Sequence, residues 1–300
     1  MGFTAKRTMS VAQQLYEGID LGSMGSLGLI TYMRTDSTHL SNEAVNEVRN
    51  HIQNQFGPEY LPEKAKIYTS KKTAQQAHEA IRPTDVDLTP REIKQFLSDE
   101  QFKLYDLIWR RFVACQMEPA RWDVTTLNIA AETAVGTATY RATGRVLVFD
   151  GYTRVWPTFS TEQVLPATQV GQDLAAVDLR AEQHFTKPPA RYTEGSLVKA
   201  LEKEGIGRPS TYAPIISTIQ ERRYVEQRDK KFYATDLGEV VTDKLDEYFP
   251  RIMDIAFTRH MEEQLDKIEE QHLNWHGVLD DFYQPFKQNL ETAQKEMKHA

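Results

Sequence analysis

Three short stretches concentrate side chains that could handle a phosphodiester. The first is LGLITYMRTDSTHLS, residues 27–41. An apolar run over 27–33 reads as a short buried strand that ends by presenting Tyr32, Arg34 and the cluster Asp36, Ser37 and Thr38. A free phenol, with a pKa of ~10, attacks poorly at neutral pH. A guanidinium beside it favours the phenolate and can also hold a phosphate. Arg34 lies two residues after Tyr32, so both side chains leave one face if the strand continues that far. The same residues also suit a packed strand tyrosine with a satisfied hydroxyl.

The second stretch is AQQAHEAIRPT, residues 74–84. His78 and Glu79 begin the zinc-protease pattern H-E-x-x-H, but Arg82 stands where the second histidine belongs, so the metal-ligand geometry is missing. A histidine and an arginine four residues apart on one helical face could instead both reach a phosphate. The third stretch is EGIGRPSTY, residues 204–212. It is a glycine-rich turn that delivers Arg208, Ser210 and Thr211 to a helix N-terminus, where free N–H groups and the helix dipole favour anions. Ordinary helix capping accounts for it equally well.

These stretches need elements to hold them. Ser41 is a helix N-cap, with Val45, Val48, Ile52 and Phe56 at helical spacing and Gly57-Pro58 as the stop. Thr89, Pro90 and Glu92 spell a capping box. The sequence from Ser98 onward predicts a long amphipathic helix whose stripe is Phe102, Tyr105, Ile108 or Trp109, Phe112 and Val113. Past Pro119 the texture changes. RWDVTTLNIAA, GTATYRAT, RVLVFDGYTRVW and QDLAAVDLRAEQHF read as strands. FTKPPARY reads as a stiff connection. From Thr193 to Gly205, and again from an entry at Ser210 or Thr211, the period is helical. A hairpin follows, with Tyr224 and Val225 on one strand and Phe232 and Tyr233 on the other. Helix, turn, helix, hairpin is the order of a winged helix–turn–helix. Further helices with solvated acidic faces close the sequence, and the acidic loop 85–87 also reads as solvated.

The 300 residues are enough for two or three domains. A single cysteine, Cys115, excludes an intramolecular disulfide and any multi-cysteine zinc ribbon, and it reads as packing. No signal-peptide core or membrane-length apolar run is evident, which points to the cytoplasm and to no membrane partner. The net charge is −7, but residues 232–300 hold 15 acidic against 7 basic residues, leaving the first 231 with a net of +1. The acid is therefore concentrated at one end, and a cationic groove elsewhere is compatible with the total.

Taken together and in this order, LITYMRTDS, AHEAIRPT and EGIGRPSTYAPIISTIQERRYV resemble the signature segments of the type IA, bacterial topoisomerase I family. The resemblance implies an α+β multidomain fold, part of that family's torus. Residues 1–118 would form an α-rich catalytic-tyrosine domain, 119–188 a β-rich hinge, and 189–300 a partial, helical, winged-helix-like base. It implies that Tyr32 attacks single-stranded DNA to give a 5′-phosphotyrosine, with Arg34 stabilising the phosphate. His78, Arg82, Arg208, Ser210, Thr211 and Arg222 would contact the strand. The family's Mg2+ is held by an N-terminal Toprim domain, which the 31 residues before Tyr32 cannot supply. The resemblance thus implies an internal fragment whose partner is the missing Toprim domain, with no metal held by this chain. Such a fragment would be limited to binding DNA. A non-catalytic single-stranded DNA-binding module is the alternative.

Overall fold

The computed structural model describes residues 2–35, 37–68, 79–158 and 161–297. The chain divides into two compact units: one of residues 12–33 and 37–187, the other of 1–11, 34–36 and 188–300. They part between Lys187 and Pro188, inside the proline stretch. Both mix helices with two-stranded antiparallel ladders.

The first unit, called here the tyrosine unit, takes the second half of α1 (Ala5–Glu17) and then β1 (Ile19–Asp20), which pairs with β2 (Ser26–Leu27). The strand expected over 27–33 does not extend past Leu27. Leu29 and Ile30 are buried, but Ile30 makes only a lone bridge to Pro83, and Thr31 sits in a bend. The opposing proline has no N–H to donate, so the ladder cannot propagate. Tyr32 and Arg34 consequently lie on irregular backbone, and the alternation that would have put them on one face does not apply.

Helix α2 (Asn42–Phe56) starts where the Ser41 hydroxyl accepts from the Ala44 N–H at 3.2 Å, and it ends at Gly57, whose φ of 105° suits only glycine. Short α3 (Pro90–Ile93) is entered through Thr89, whose N–H donates to the Glu92 carboxylate at 3.1 Å. In α4 (Asp99–Gln116), Ser98 and Gln101 form a capping box. Its buried stripe includes Tyr105, Trp109, Phe112 and Val113, as the period predicts. Asp85 and Asp87 are exposed, as a solvated loop requires, while the backbone between them is tied to α4. Trp109 donates to the Val86 carbonyl at 2.8 Å and Tyr105 to that of Leu88 at 2.7 Å. Buried His51 meets the Asp87 carboxylate at 2.7 Å.

Strands β3 (Arg121–Thr133) and β4 (Gly136–Phe149) form one long antiparallel ribbon. Two segments read separately from the sequence are thus a single strand through Gly144. A side chain there would strike the Gln163 carbonyl, because Gln163 bridges to Arg145 with N···O distances of 2.8 and 3.0 Å. The strand expected over 172–185 is not formed; the segment has no ladder partner among the described residues. Alternation gives a segment two faces, but a strand also needs an edge to pair with.

The second unit, the helical unit, runs α5 (Glu194–Glu204), α6 (Tyr212–Glu221), β5 (Val225–Arg228), β6 (Lys231–Ala234), α7 (Asp236–Tyr248), α8 (Pro250–Met253), α9 (Ile255–Glu269) and α10 (Trp275–Glu296). Thr193 and Ser196 cap α5, and Gly205 in the left-handed region stops it. The hairpin tip, Asp229 and Lys230, has both φ values positive, 47° and 63°, as a two-residue primed turn requires. Gly238 lets α7 lie directly on the Tyr224 carbonyl, where a Cβ would collide. Among the described residues, no helix is long and apolar enough to cross a membrane.

Candidate active site and nucleic-acid interface

The tyrosine unit holds its candidate nucleophile through a short cross-link between two sequence segments. Thr84 N–H donates to the Leu29 carbonyl at 3.1 Å, and Thr31 N–H donates to the Arg82 carbonyl at 2.9 Å. The Thr31 hydroxyl donates to the Ala80 carbonyl at 2.7 Å and accepts from the Arg82 N–H at 3.0 Å. Thr84 Oγ1 closes the far end on the Gly28 carbonyl at 2.7 Å. Residues 28–31 and 80–84 are thereby fixed to each other, although neither forms a regular strand. Tyr32 follows immediately, a residue 49% exposed whose ring stands edge-on to Tyr16 at 5.3 Å between ring centres. A nucleophile needs this combination of anchored backbone and accessible side chain.

Arg82 is not a free cation. Its Nε and Nη2 donate to the two Glu79 oxygens at 2.9 and 3.0 Å, and its Nη1 donates to the Pro83 carbonyl at 2.9 Å. Glu79 also accepts from the Ser41 N–H at 2.9 Å, which joins this segment to the start of α2. Burial alone would raise the Glu79 carboxyl; the Arg82 and Ser41 hydrogen bonds outweigh it and hold the group below the usual glutamate range. His78 lies outside the described residues. Arg34 is half-buried, and it groups with the helical unit while Tyr32 groups with the tyrosine unit.

In the helical unit the glycine-rich turn folds on itself. Arg208 N–H donates to Thr211 Oγ1 at 2.8 Å, and Thr211 N–H returns to the Arg208 carbonyl at 2.8 Å. Thr211 therefore closes the turn and makes no side-chain cap to α6. Ser210 is exposed beside it. Arg222 caps the opposite end of α6, so it is not brought together with Arg208, Ser210 and Thr211. The Arg208 guanidinium is held by Asp266, at 2.6 and 3.2 Å, and by Glu262 at 3.4 Å. Arg259, on the same face of α9, reaches the Glu204 carbonyl at 2.6 Å and its carboxylate at 2.7 Å. Glu262 accepts from the Gly207 N–H at 3.0 Å. This face of α9, expected to be solvated, instead grips the turn. No sequence signal joins residues 54 to 58 positions apart; only the 259, 262, 266 spacing on one helix face could have suggested a shared target. Among the described residues, no three His, Cys, Asp or Glu side chains converge to hold a metal ion.

Comparison with known proteins then decides the family. Residues 1–280 match the family model for DNA topoisomerase. The chain belongs to the bacterial type IA DNA topoisomerase I family. It is 52% identical over 297 residues to DNA topoisomerase 1 of Pseudomonas aeruginosa, covering 98% of this chain and 33% of that protein. The Escherichia coli DNA topoisomerase 1 is 50% identical over 299 residues, with 99% and 33% covered. Full-length topoisomerase I from Thermotoga maritima superposes with a TM-score of 0.82 at 40% identity, over 96% of this chain and 46% of that one. This topoisomerase chain thus spans about one third of the length of the curated relatives it matches.

Proposed function

We propose that this chain carries the strand-cleaving tyrosine of a type IA topoisomerase. The Tyr32 oxygen attacks a phosphodiester of single-stranded DNA. The P–O3′ bond breaks, the 3′-oxygen leaves and takes up a proton, and the 5′-phosphate remains on the tyrosine. Reversal after strand passage reseals the strand, and the net result is relaxation of negative supercoils. Arg34 neutralises charge on the phosphate in the transition state. His78, Arg82, Arg208, Ser210, Thr211 and Arg222 line the path of the strand. Residues 119–188 serve as the hinge of the torus, between a tyrosine domain over 1–118 and a partial winged-helix-like base over 189–300. Mg2+, held by a Toprim domain acting as this chain's partner, would neutralise phosphate charge when bound. By itself the chain binds single strands without relaxing plasmid.

The observation that carries this reading is the exposed Tyr32 side chain, following directly on the hydrogen bonds that fix residues 28–31 to the Arg82 segment. Its test is Tyr32→Phe in the full-length enzyme. Cleavage of a single-stranded oligonucleotide should vanish while affinity stays within about twofold, since the lost hydroxyl is one contact among many along the strand and its role is in the transition state. Undiminished cleavage would remove Tyr32 from the mechanism and leave the non-catalytic binding module. For the isolated chain, oligonucleotide affinity should fall steadily with salt, through release of counterions from the strand.

A further inference from the structure

Two of the cavities formed by described residues of the tyrosine unit have opposite charges. The larger, about 710 Å³, is lined by Glu47, Asp85, Asp87 and Glu92 and would repel a phosphate. The smaller, about 390 Å³, has Lys66 and Arg111 among its described lining residues and no carboxylate. Its size is at the lower end of the range for small-ligand clefts, roughly 300–1,000 Å³.

The walls of the smaller cavity are two-sided. Leu40, Ile81 and Phe112 give it an apolar surface, while Tyr68 and Tyr152 add aromatic rings with hydroxyls. Arg111 is exposed on α4, with its guanidinium 5.5 Å from the centre of the Trp156 ring, and it makes no ion pair among the described residues. That contrasts with Arg82 and Arg208, both already matched to carboxylates. Lys66 donates to the Met117 carbonyl at 2.5 Å, which holds its ammonium at the cavity edge and leaves two N–H donors. The floor is well supported: buried Gln116 clasps Lys66 through both its N–H and its carbonyl, at 3.1 and 2.8 Å. The Tyr68 hydroxyl is fixed on the Cys115 carbonyl at 2.8 Å. Ala80, in the wall, accepts the Thr31 hydroxyl, so one hydrogen bond separates the cavity from the residue preceding Tyr32.

An apolar and aromatic wall with cations at one side, and no carboxylate among its described lining residues, suits a flat ring joined to a phosphate. We infer that this cavity is a subsite for one nucleotide of the single strand, its base against Ile81, Phe112 and Tyr152 and its phosphate against Arg111 and Lys66. This rests on the DNA reading above, and it adds a binding site separate from the residues assigned there.

Calorimetric titration of the 300-residue chain with thymidine 5′-monophosphate, thymidine and inorganic phosphate tests it. The nucleotide should bind at least ~10-fold more tightly than either half, a difference of ~1.4 kcal/mol. Arg111→Ala, an exposed position, should remove most of that advantage, and Ile81→Trp should abolish binding by filling the space, with unchanged circular dichroism as the control for folding. No heat with the nucleotide, equal binding of phosphate alone, or an unaffected Arg111→Ala would each overturn the subsite. Anisotropy with an oligothymidylate on the same preparation separates the two readings. If the oligomer binds and the nucleotide does not, the subsite falls and the DNA reading stands. If the nucleotide binds at this cavity and the oligomer does not, the site survives as a nucleotide pocket and the DNA reading falls.

Discussion

Arg82 and Arg208 are the same side chain in the same predicament, each held in a two-pronged grip by a carboxylate, yet the two grips are built differently. Glu79 comes from three residues before Arg82, so that pair is a property of one short segment. Asp266 and Glu262 come from α9, more than fifty residues after Arg208, so that pair exists only once the helical unit has folded. The first clamp orients a side chain on the segment whose backbone is bonded to Thr31, the residue before the candidate nucleophile. The second also fastens a helix to a turn. A phosphate approaching either arginine must share it with a carboxylate already there, which favours exchange over tight binding.

The contrast can be broken by mutation. The largest effect should come from removing both acids at Arg208. Asp266→Ala with Glu262→Ala strips a partly buried guanidinium of both its carboxylates, leaving it only the Gly207 carbonyl, and leaves the Gly207 N–H without its acceptor; it should cost about 2–3 kcal/mol, less than a fully buried pair because both groups retain some water. Urea denaturation of the 300-residue chain would show a lower midpoint; an unmoved midpoint would mean the clamp is decorative. Glu79→Gln should cost less, about 1–2 kcal/mol at neutral pH, because the charge is lost while the shape remains. Its signature is in the pH dependence. A carboxyl held below its ordinary 4.5 contributes fully above that value, and the contribution disappears as pH falls through the lower folded-state value. The wild-type chain should therefore lose stability on acidification through that window more steeply than Glu79→Gln; parallel curves would dissociate the two groups.

Smaller effects sharpen the comparison. Asp266→Asn keeps the shape around Arg208 but removes the competing charge. If Arg208 meets DNA phosphate, oligonucleotide affinity at low salt should rise about two- to fivefold, with a steeper salt dependence. A fall in affinity would mean that Asp266 positions the arginine rather than competing for it. Arg259→Ala, which removes a more exposed contact with the end of α5, should cost only about 0.2–1 kcal/mol. A larger loss, seen in the same denaturation series, would make Arg259 the principal fastening of α9.

What the sequence discloses follows the same division between local and distant. The caps at Ser41, Thr89 and Thr193, the stops at Gly57 and Gly205, and the buried stripe of α4 are legible because each is written within four residues. The helix–turn–helix–hairpin order is legible for the same reason. The strand expected through Tyr32 fails because its partner is Pro83, some fifty residues on, which no local pattern reveals. The strand expected over 172–185 fails for want of an edge. At the candidate site, Tyr32 and Arg82 are visible as residue types, whereas the Thr31 hydrogen bonds that set their spacing are not. The α9 clamp is invisible because acidic residues on a helix face look alike whether they meet water or an arginine.

The β3–β4 ribbon has one more implication, and it is mechanical. Its 13 paired positions run from Arg121 and Phe149 at one end to Thr133 and Gly136 at the other, so the chain enters and leaves at the same end. Tension drawn along the chain would load these pairs in sequence, as in a zipper, and each rung would resist with no more than about 1 kcal/mol. Tension pulling the strands lengthwise past each other would load every rung together, as in a lap joint. The ribbon is thus compliant to a force that separates its two ends and stiff to one that slides them.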